Sequence, residues 1–290
     1  MTTNCRSDSF KASVVIPAHN EEAGLQSIRA GLERLQRDGY EIVIVDDGST
    51  DGTREIAREI ADQYYRNPYQ LGCGTSTKRG IEAAQSDLVV IMDADGEHRP
   101  EDVPAIRDNL GEFDLVIGRR AWRPEPLRKR IGRWLLTRLA ERIAGRDIPD
   151  LTSGLRGFYR YEMRRFFHLL PSGQSFMTTS TLAYHAAGLS VGYVPVTFYP
   201  RLGGQSHVQP VRDALRAVGL MLRVSVLFGP MRVFMPVAVA LGLIGSAYAG
   251  WGIATATHIP TGAVITLLAA LLVACMAILA DAFAAALRKE

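Results

Sequence analysis

Residues 87–98 read Asp-Leu-Val-Val-Ile-Met-Asp-Ala-Asp-Gly-Glu-His, an apolar run from Leu88 to Met92 that gives way abruptly to Asp93, Asp95 and Glu97. A short, unbroken apolar run with a polar end is the pattern of a strand buried on both faces. Comparable runs occupy 12–17, 41–46 and 114–118, and stretches near 21–37, 51–62, 75–85 and 100–110 have helical composition. Strands alternating with helices predict an α/β domain, a mostly parallel sheet with helices on both faces. Such sheets bind ligands beyond the carboxyl ends of their strands, so the residues at the strand tips are the ones to weigh.

Three of these tips are acidic. The first strand ends in Pro17-Ala18-His19-Asn20-Glu21-Glu22, the second in Asp46-Asp47-Gly48-Ser49-Thr50-Asp51-Gly52, and the third in the Asp93–Glu97 segment. Carboxylates gathered on one edge need a cation or hydrogen-bond donors between them. Asp93 and Asp95, two residues apart in extended chain, point to the same side and can address one hard divalent ion; oxygen ligands favour Mg2+ or Mn2+. A turn in which two aspartates cap their own backbone has the same letters. At the second tip Asp46 is expected to face a ligand while Ser49 or Asp51 caps the next helix, and Asn20-Glu21 reads equally as a capped helix start.

Other patterns close off alternatives. Gly72-Cys73-Gly74 lacks the third glycine of a dinucleotide fingerprint, since position 77 is Thr77, and no Walker lysine pattern is present. Phosphates would then be met by arginines: Arg119, Arg120, Arg123, Arg128, Lys129, Arg130 and Arg133 stand against the single Glu125, and Arg201 precedes a Gly-rich stretch. A formal net charge of +3 over 290 residues argues against nucleic acid as a partner. Cys5, Cys73 and Cys275 are too far apart for a metal spacing or a disulfide framework. The first 17 residues hold only a three-residue apolar run, so no signal peptide is expected.

The charges are unevenly spread. Apart from Arg232 and Asp281, all of them precede Arg232 or fall in the last three residues. Residues 233–256 and 259–280 are uncharged, each about 33–36 Å long as helix and sufficient to cross a hydrocarbon core of about 30 Å. A transmembrane hairpin is expected, with Gly242, Gly245, Ser246, Ala249 and Gly250 allowing close approach and Pro236 kinking the first span. Arg223, Arg232, Arg288 and Lys289 flank the pair, which places both ends and the α/β domain in the cytoplasm. Just upstream, Val211, Ala214, Leu215, Val218 and Leu222 form one helical stripe beside Arg212, Arg216 and Arg223, the pattern of a helix lying in the headgroup plane. The expected domains are 1–207, an interfacial helix over 208–230, and a hairpin over 231–290.

The segments VVIPAHNEE, VDDGSTDGT, DADGEHRPEDVP, DLTSGLRGFYR and YVPVTFYPRLGGQSH, in this order, resemble the family 2 glycosyltransferases of GT-A fold, in the branch of polyprenyl-phosphate sugar transferases typified by dolichyl-phosphate mannose synthase. The resemblance implies that Pro17, Ala18, His19, Glu21, Asp46, Lys78, Asp93 and Ala94 hold a nucleotide-sugar. It implies a Mg2+ or Mn2+ ion on Asp93, Asp95 and Glu97, and contacts from Arg119, Arg130 and Arg201, with Asp95, to the reacting phosphates. His19 stands where tyrosine is common, Glu97 where glutamine is common and Arg133 where serine is common; the 176–180 segment lacks an acidic residue common in relatives. Arg130 to Trp134 also fits the Arg-x-x-Arg-Trp signature of processive polysaccharide synthases, but lies too early in the chain for that role. The implied reaction is inverting transfer of one sugar to a polyprenyl phosphate at the cytoplasmic face of a bacterial-type plasma membrane. A polysaccharide or other acceptor, or a non-catalytic membrane subunit of the same fold, are the alternatives; homo-oligomerisation is compatible with all three.

Overall fold

The computed structural model describes residues 10–120, 127–173, 175–199, 229–256 and 258–287. They belong to two compact units, one drawn from residues 1–127 and 149–209, the other from 128–148 and 210–290. Residues 128–148, which the sequence reading keeps inside the first domain, thus group with the C-terminal hairpin. The expected interfacial helix over 208–230 lies outside the described residues except for its last two.

The first unit is a seven-stranded sheet. Its strands are β1 (Ser13–Ala18), β2 (Glu41–Asp46), β3 (Gln63–Arg66), β4 (Leu88–Ile91), β5 (Leu115–Arg120), β6 (Arg156–Tyr159) and β7 (Val191–Val196), in the spatial order β3-β2-β1-β4-β6-β5-β7. Helices α1 (Glu22–Arg37), α2 (Thr53–Ile60), α3 (Cys73–Ala83), α4 (Val103–Asp108), α6 (Arg160–Arg165) and α7 (Phe176–Ala186) accompany it. Every residue of β1 and β2 is buried, as their unbroken apolar runs require of strands covered on both faces. Leu25, Ile28, Leu32 and Leu35 form the buried stripe of α1, which joins the core made by Val14, Ile16, Ile42, Ile44 and Val90.

All neighbours pair in parallel except β6, which runs antiparallel between β4 and β5. That reversal matters for function. Arg156, the first residue of β6, pairs with Ile91 and Ile117, so the segment entering β6 is delivered to the edge where β4 and β5 leave. The order also switches direction at β1, with β2 on one side and β4 on the other, the position at which open α/β sheets leave a crevice.

In the second unit α5 (Leu127–Ala144), which lies in it apart from its first residue, accompanies α8 (Pro230–Ala256) and α9 (Thr261–Leu287). The last two are long and apolar enough to cross a membrane. Ala263, Ala270, Ala277 and Ala284 are buried at seven-residue spacing along α9, and a Cβ added at Gly245 would lie 2.9 Å from Leu267. Small residues at the seam therefore let the two helices approach, as membrane packing without a hydrophobic driving force demands. The helix continues through Pro236.

Candidate active site

The tips of β1 and β2 are laced together by short polar contacts. Asn20 N–H donates to Ser49 Oγ at 3.0 Å, Asn20 Oδ1 accepts from Thr50 N–H at 2.9 Å, and Glu21 N–H donates to Thr53 Oγ1 at 2.8 Å. Asn20 pays for this turn with a φ of 54°, a left-handed conformation that asparagine tolerates better than most residues. Asp51 Oδ1 accepts from Thr53 N–H at 3.1 Å, although the N-cap position of α2 itself is Gly52 and carries no side-chain cap. His19 Nδ1 lies 2.9 Å from the Asp47 carbonyl.

Asp46, expected to face a ligand, closes β2. Its side chain is fully buried: Oδ1 accepts from Ser49 N–H at 2.8 Å, while Oδ2 accepts from Tyr64 O–H at 3.0 Å and pairs with Arg66 at 3.3 Å. Both oxygens have protein partners, so Asp46 helps to hold the tip. Burial, and then the Asp46 carboxylate, push the Tyr64 phenol up to about 12. Lys78 is anchored too: Nζ donates to the carbonyls of Phe167 at 2.8 Å and Leu170 at 2.5 Å, tying α3 to the segment after α6.

Asp47 fastens the neighbouring loop. It accepts from Asn67 at 2.7 Å, Leu71 N–H at 2.9 Å and Gly72 N–H at 2.8 Å. Burial alone would raise its pKa, but these donors together with Ser76 outweigh it and hold the carboxyl below its ordinary value. A folded-state value below the unfolded one stabilises above the ordinary Asp value of 3.8 and loses that contribution as pH falls through the folded value. The melting temperature of Asp47→Asn is therefore expected to start lower but to fall less steeply than that of the parent on acidification below about pH 4. Thermal melts at stepped pH check this; parallel curves would refute it.

At the end of β4, Asp93, Asp95 and Glu97 leave on one loop. Glu97 N–H donates to Asp95 Oδ1 at 3.0 Å, Gly96 takes a φ of 75°, and Tyr199 N–H donates to the Glu97 carbonyl at 3.0 Å. Ala94 is buried and the backbone here presses on α1, since a Cβ at Gly24 would lie 2.2 Å from the Ala94 carbonyl oxygen. Asp93 accepts no hydrogen bond among the described residues. Burial first, then the charges of Asp95 and Glu97, raise it to about 7, against the pull of Arg120 and Arg156. Hard carboxylate oxygens of this kind suit Mg2+ or Mn2+. Among the described residues no three His, Cys, Asp or Glu side chains converge as a metal group, so the three-ligand set with Glu97 is not assembled here. The Asp93–Asp95 pair fits an ion that takes its remaining ligands from water and substrate phosphates.

The arginine turned toward these acids is Arg120, one residue beyond the expected one. Arg119 is exposed at the end of β5, whereas the Arg120 side chain is only 4 % exposed and forks onto Asp150, with both bonds at 2.7 Å, and onto Thr152 Oγ1 at 2.8 Å. Adjacent strand residues point to opposite faces, so one of the two had to be buried, and only the partner from 150–152 decides which. Arg156 is fully buried and bonded to neutral acceptors: the carbonyls of Ser153 (2.6 Å) and Met177 (2.8 Å), Ser180 Oγ (2.9 Å) and Thr181 Oγ1 (3.1 Å). Burial lowers it to about 10. The hydroxyl-rich face of α7, where an acidic residue was expected from relatives, thus serves as the seat of this guanidinium. Sequence reasoning missed Arg120, Asp150, Arg156 and Gly154, whose absent side chain makes room for Asp93: a Cβ there would lie 1.8 Å from Asp93 Oδ2.

Among the other expected residues, Pro17 and Ala18 are buried in β1, and His19 and Glu21 are half-buried beyond it. Arg130 is exposed on α5, in the second unit. Arg201 lies outside the described residues. Burial first, then Asp93 and Asp47, push the Cys73 thiol up to about 12, which disfavours the thiolate form.

Residues 13–168 match the family model described as glycosyl transferase family 2, and 229–286 match that of the GtrB C-terminal hairpin. The chain is 37 % identical over 156 residues to the uncharacterised protein MJ1222 of Methanocaldococcus jannaschii, covering 50 % of this chain and 63 % of that one. It is 32 % identical over 214 residues to a dolichol-phosphate mannosyltransferase of Pyrococcus furiosus, covering 69 % and 60 % respectively. The chain therefore spans less than two thirds of these relatives. A solved structure of glucosyl-3-phosphoglycerate synthase from Mycobacterium tuberculosis, in complex with Mn2+, UDP and glucosyl-3-phosphoglycerate, shares the fold with a TM-score of 0.58 at 23 % identity, covering 74 % of this chain and 78 % of that one.

Proposed function

The chain belongs to glycosyl transferase family 2, and on that premise we propose that it transfers one sugar, with inversion, from a nucleoside-diphosphate sugar to a polyprenyl phosphate at the cytoplasmic face of the membrane. The observation that carries the reading is the Asp93–Asp95 pair at the end of β4, with the Asp93 carboxyl raised by burial and by the charges of Asp95 and Glu97 and drawn on by Arg120. Asp93 and Asp95 would hold Mg2+ or Mn2+, which when bound supplies positive charge to the departing diphosphate. Pro17, Ala18, His19, Glu21 and Ala94 border the crevice proposed for the nucleotide. Arg119, Arg130 and Arg201 are proposed to meet phosphates of donor or acceptor.

The nucleophile is an oxygen of the lipid phosphate, anionic near neutral pH, so the protein need not supply a strong base. What it supplies is alignment and charge. This accounts for a site rich in carboxylates and guanidinium groups with no nucleophile–histidine pair apparent. The apolar α8–α9 hairpin suits an acceptor that stays in the bilayer, and an acceptor of that kind is named for the Pyrococcus furiosus relative.

The test is a panel of radiolabelled UDP- and GDP-sugars offered to the full chain in detergent with undecaprenyl phosphate and Mg2+ or Mn2+. Label is expected in the organic phase with one donor, dependent on both lipid and metal ion. Label that stays aqueous with every donor, or that collects on polymer, overturns the proposal.

A further inference from the structure

Pro236 has no N–H, so the carbonyl of Arg232, one turn earlier in α8, has lost its helical donor. Arg142, near the end of α5, replaces it: Nε donates to that carbonyl at 3.1 Å. Arg232 returns the favour, donating from Nη1 to the carbonyl of Ile143 at 2.6 Å, an acceptor in the last turn of α5 that the helix itself leaves open. The two arginines form a reciprocal latch between the foot of the first membrane-length helix and the end of α5. Gly145 makes it possible, since a Cβ there would lie 2.9 Å from Arg232 Nη1.

The latch does not exhaust the arginines. Arg142 is exposed and uses only Nε, leaving both terminal nitrogens without a hydrogen-bond partner among the described residues. Beside it lies an open groove of about 480 Å³ lined by Arg142, Met231, Arg232, Met235, Pro236 and Val239. Among the described residues no acidic side chain lines it. The α8 positions fall on one face of the helix and extend from Arg232 toward the middle of the span by about 10 Å. One end of the groove is doubly cationic, and the remainder is a thioether and aliphatic wall.

We propose that this groove holds an anionic phospholipid of the surrounding bilayer, its phosphodiester on Arg142 and Arg232 and one acyl chain along Met235, Pro236 and Val239. Guanidinium groups match phosphate oxygens in charge and geometry. A span that begins at Pro230 puts its first turns at headgroup depth. A free phosphate would leave the apolar wall uncovered, and a neutral lipid would leave the paired cations unmatched. The lipid bridges α5 and α8 at the point where Pro236 has weakened the helix. This inference is independent of the sugar-transfer reading.

The test is native mass spectrometry of the delipidated full chain titrated with phosphatidylglycerol, with phosphatidylcholine, with undecaprenyl phosphate, and with inorganic phosphate as competitor. Two variants accompany it. Arg142→Gln keeps a donor for the Arg232 carbonyl but removes the charge; Val239→Trp fills the wall and leaves both arginines in place. One phosphatidylglycerol is expected to be retained in preference to phosphatidylcholine, about five- to tenfold more weakly in Arg142→Gln, and to be displaced in Val239→Trp. Inorganic phosphate is expected not to compete. Equal retention by parent and variants, or of both phospholipids, overturns the proposal. Displacement by inorganic phosphate would make the groove a simple anion site, and preference for undecaprenyl phosphate would make it an acceptor site; either also overturns it. Should Arg142→Gln fail to fold, Val239→Trp decides alone.

Discussion

Asp95→Asn is expected to lower sugar transfer roughly a hundred- to a thousandfold while leaving the fold intact. The substitution is clean for a structural reason. Asp95 Oδ1 accepts the Glu97 N–H at 3.0 Å, and the carbonyl oxygen of an asparagine can accept the same bond, so the loop after β4 keeps its turn. What disappears is one of two negative charges proposed to grip a divalent ion, and with it much of the positive charge available to a leaving diphosphate. Turnover, a melt and a Mn2+ titration followed by electron paramagnetic resonance separate the possibilities. Lost turnover with an unchanged melt and weakened Mn2+ binding is the expected result. Undiminished turnover removes Asp95 from the chemistry, and unchanged Mn2+ affinity removes it from the ion.

Much of this arrangement was legible because burial on two faces leaves a plain trace. The runs at 12–17, 41–46, 87–93 and 114–118 became β1, β2, β4 and β5 within a residue or two at most ends, and the uncharged stretches became α8 and α9. The remaining strands were hidden for different reasons. β3 is Gln-Tyr-Tyr-Arg at a sheet edge, half-exposed and without an apolar run. β6 is the four residues Arg-Gly-Phe-Tyr, begun by a charge, and its antiparallel course follows from where the chain returns after α5, which no local pattern states. The basic stretch after β5 reads as a charged surface, yet residues 127–144 are helical and group with the hairpin.

The site shows the same division. That Asp93 and Asp95 close a buried strand is written in the letters. That Arg120 rather than Arg119 turns inward depends on Asp150, thirty residues away. Asp46 ends a strand in the same way, and the letters do not say that Tyr64 and Arg66 on the neighbouring β3 reach its carboxylate. Partners brought by the sheet, distant in sequence, decide which acids at an edge are spent on the fold and which remain for chemistry.

Gly154→Ala tests that last point without touching any charge. The methyl group would lie 1.8 Å from Asp93 Oδ2 and 2.3 Å from its Cγ, far inside contact distance, and both residues lie just beyond the β4–β6 pairing, whose last partners are Ile91 and Arg156. The backbone gives little, so the carboxylate must swing away from its place beside Asp95. Overpacking of this kind costs about 1–3 kcal/mol of stability, a modest fraction of a domain's total, so the protein is expected to fold with a lowered melting temperature. Activity is expected to suffer far more, by roughly a hundredfold, because displacing a carboxylate proposed to hold the ion degrades the alignment on which catalysis depends. Gly173→Ala, where an added Cβ meets nothing within 4 Å, is the matched control and should behave as the parent does. Raising Mn2+ concentration is expected to restore part of the turnover of Gly154→Ala, since both carboxylates remain and only that of Asp93 is displaced, and none of that of Asp95→Asn beyond what mass action on a weakened site allows. A Gly154→Ala protein with parental turnover and parental Mn2+ affinity would mean that the position of Asp93 is immaterial to the reaction.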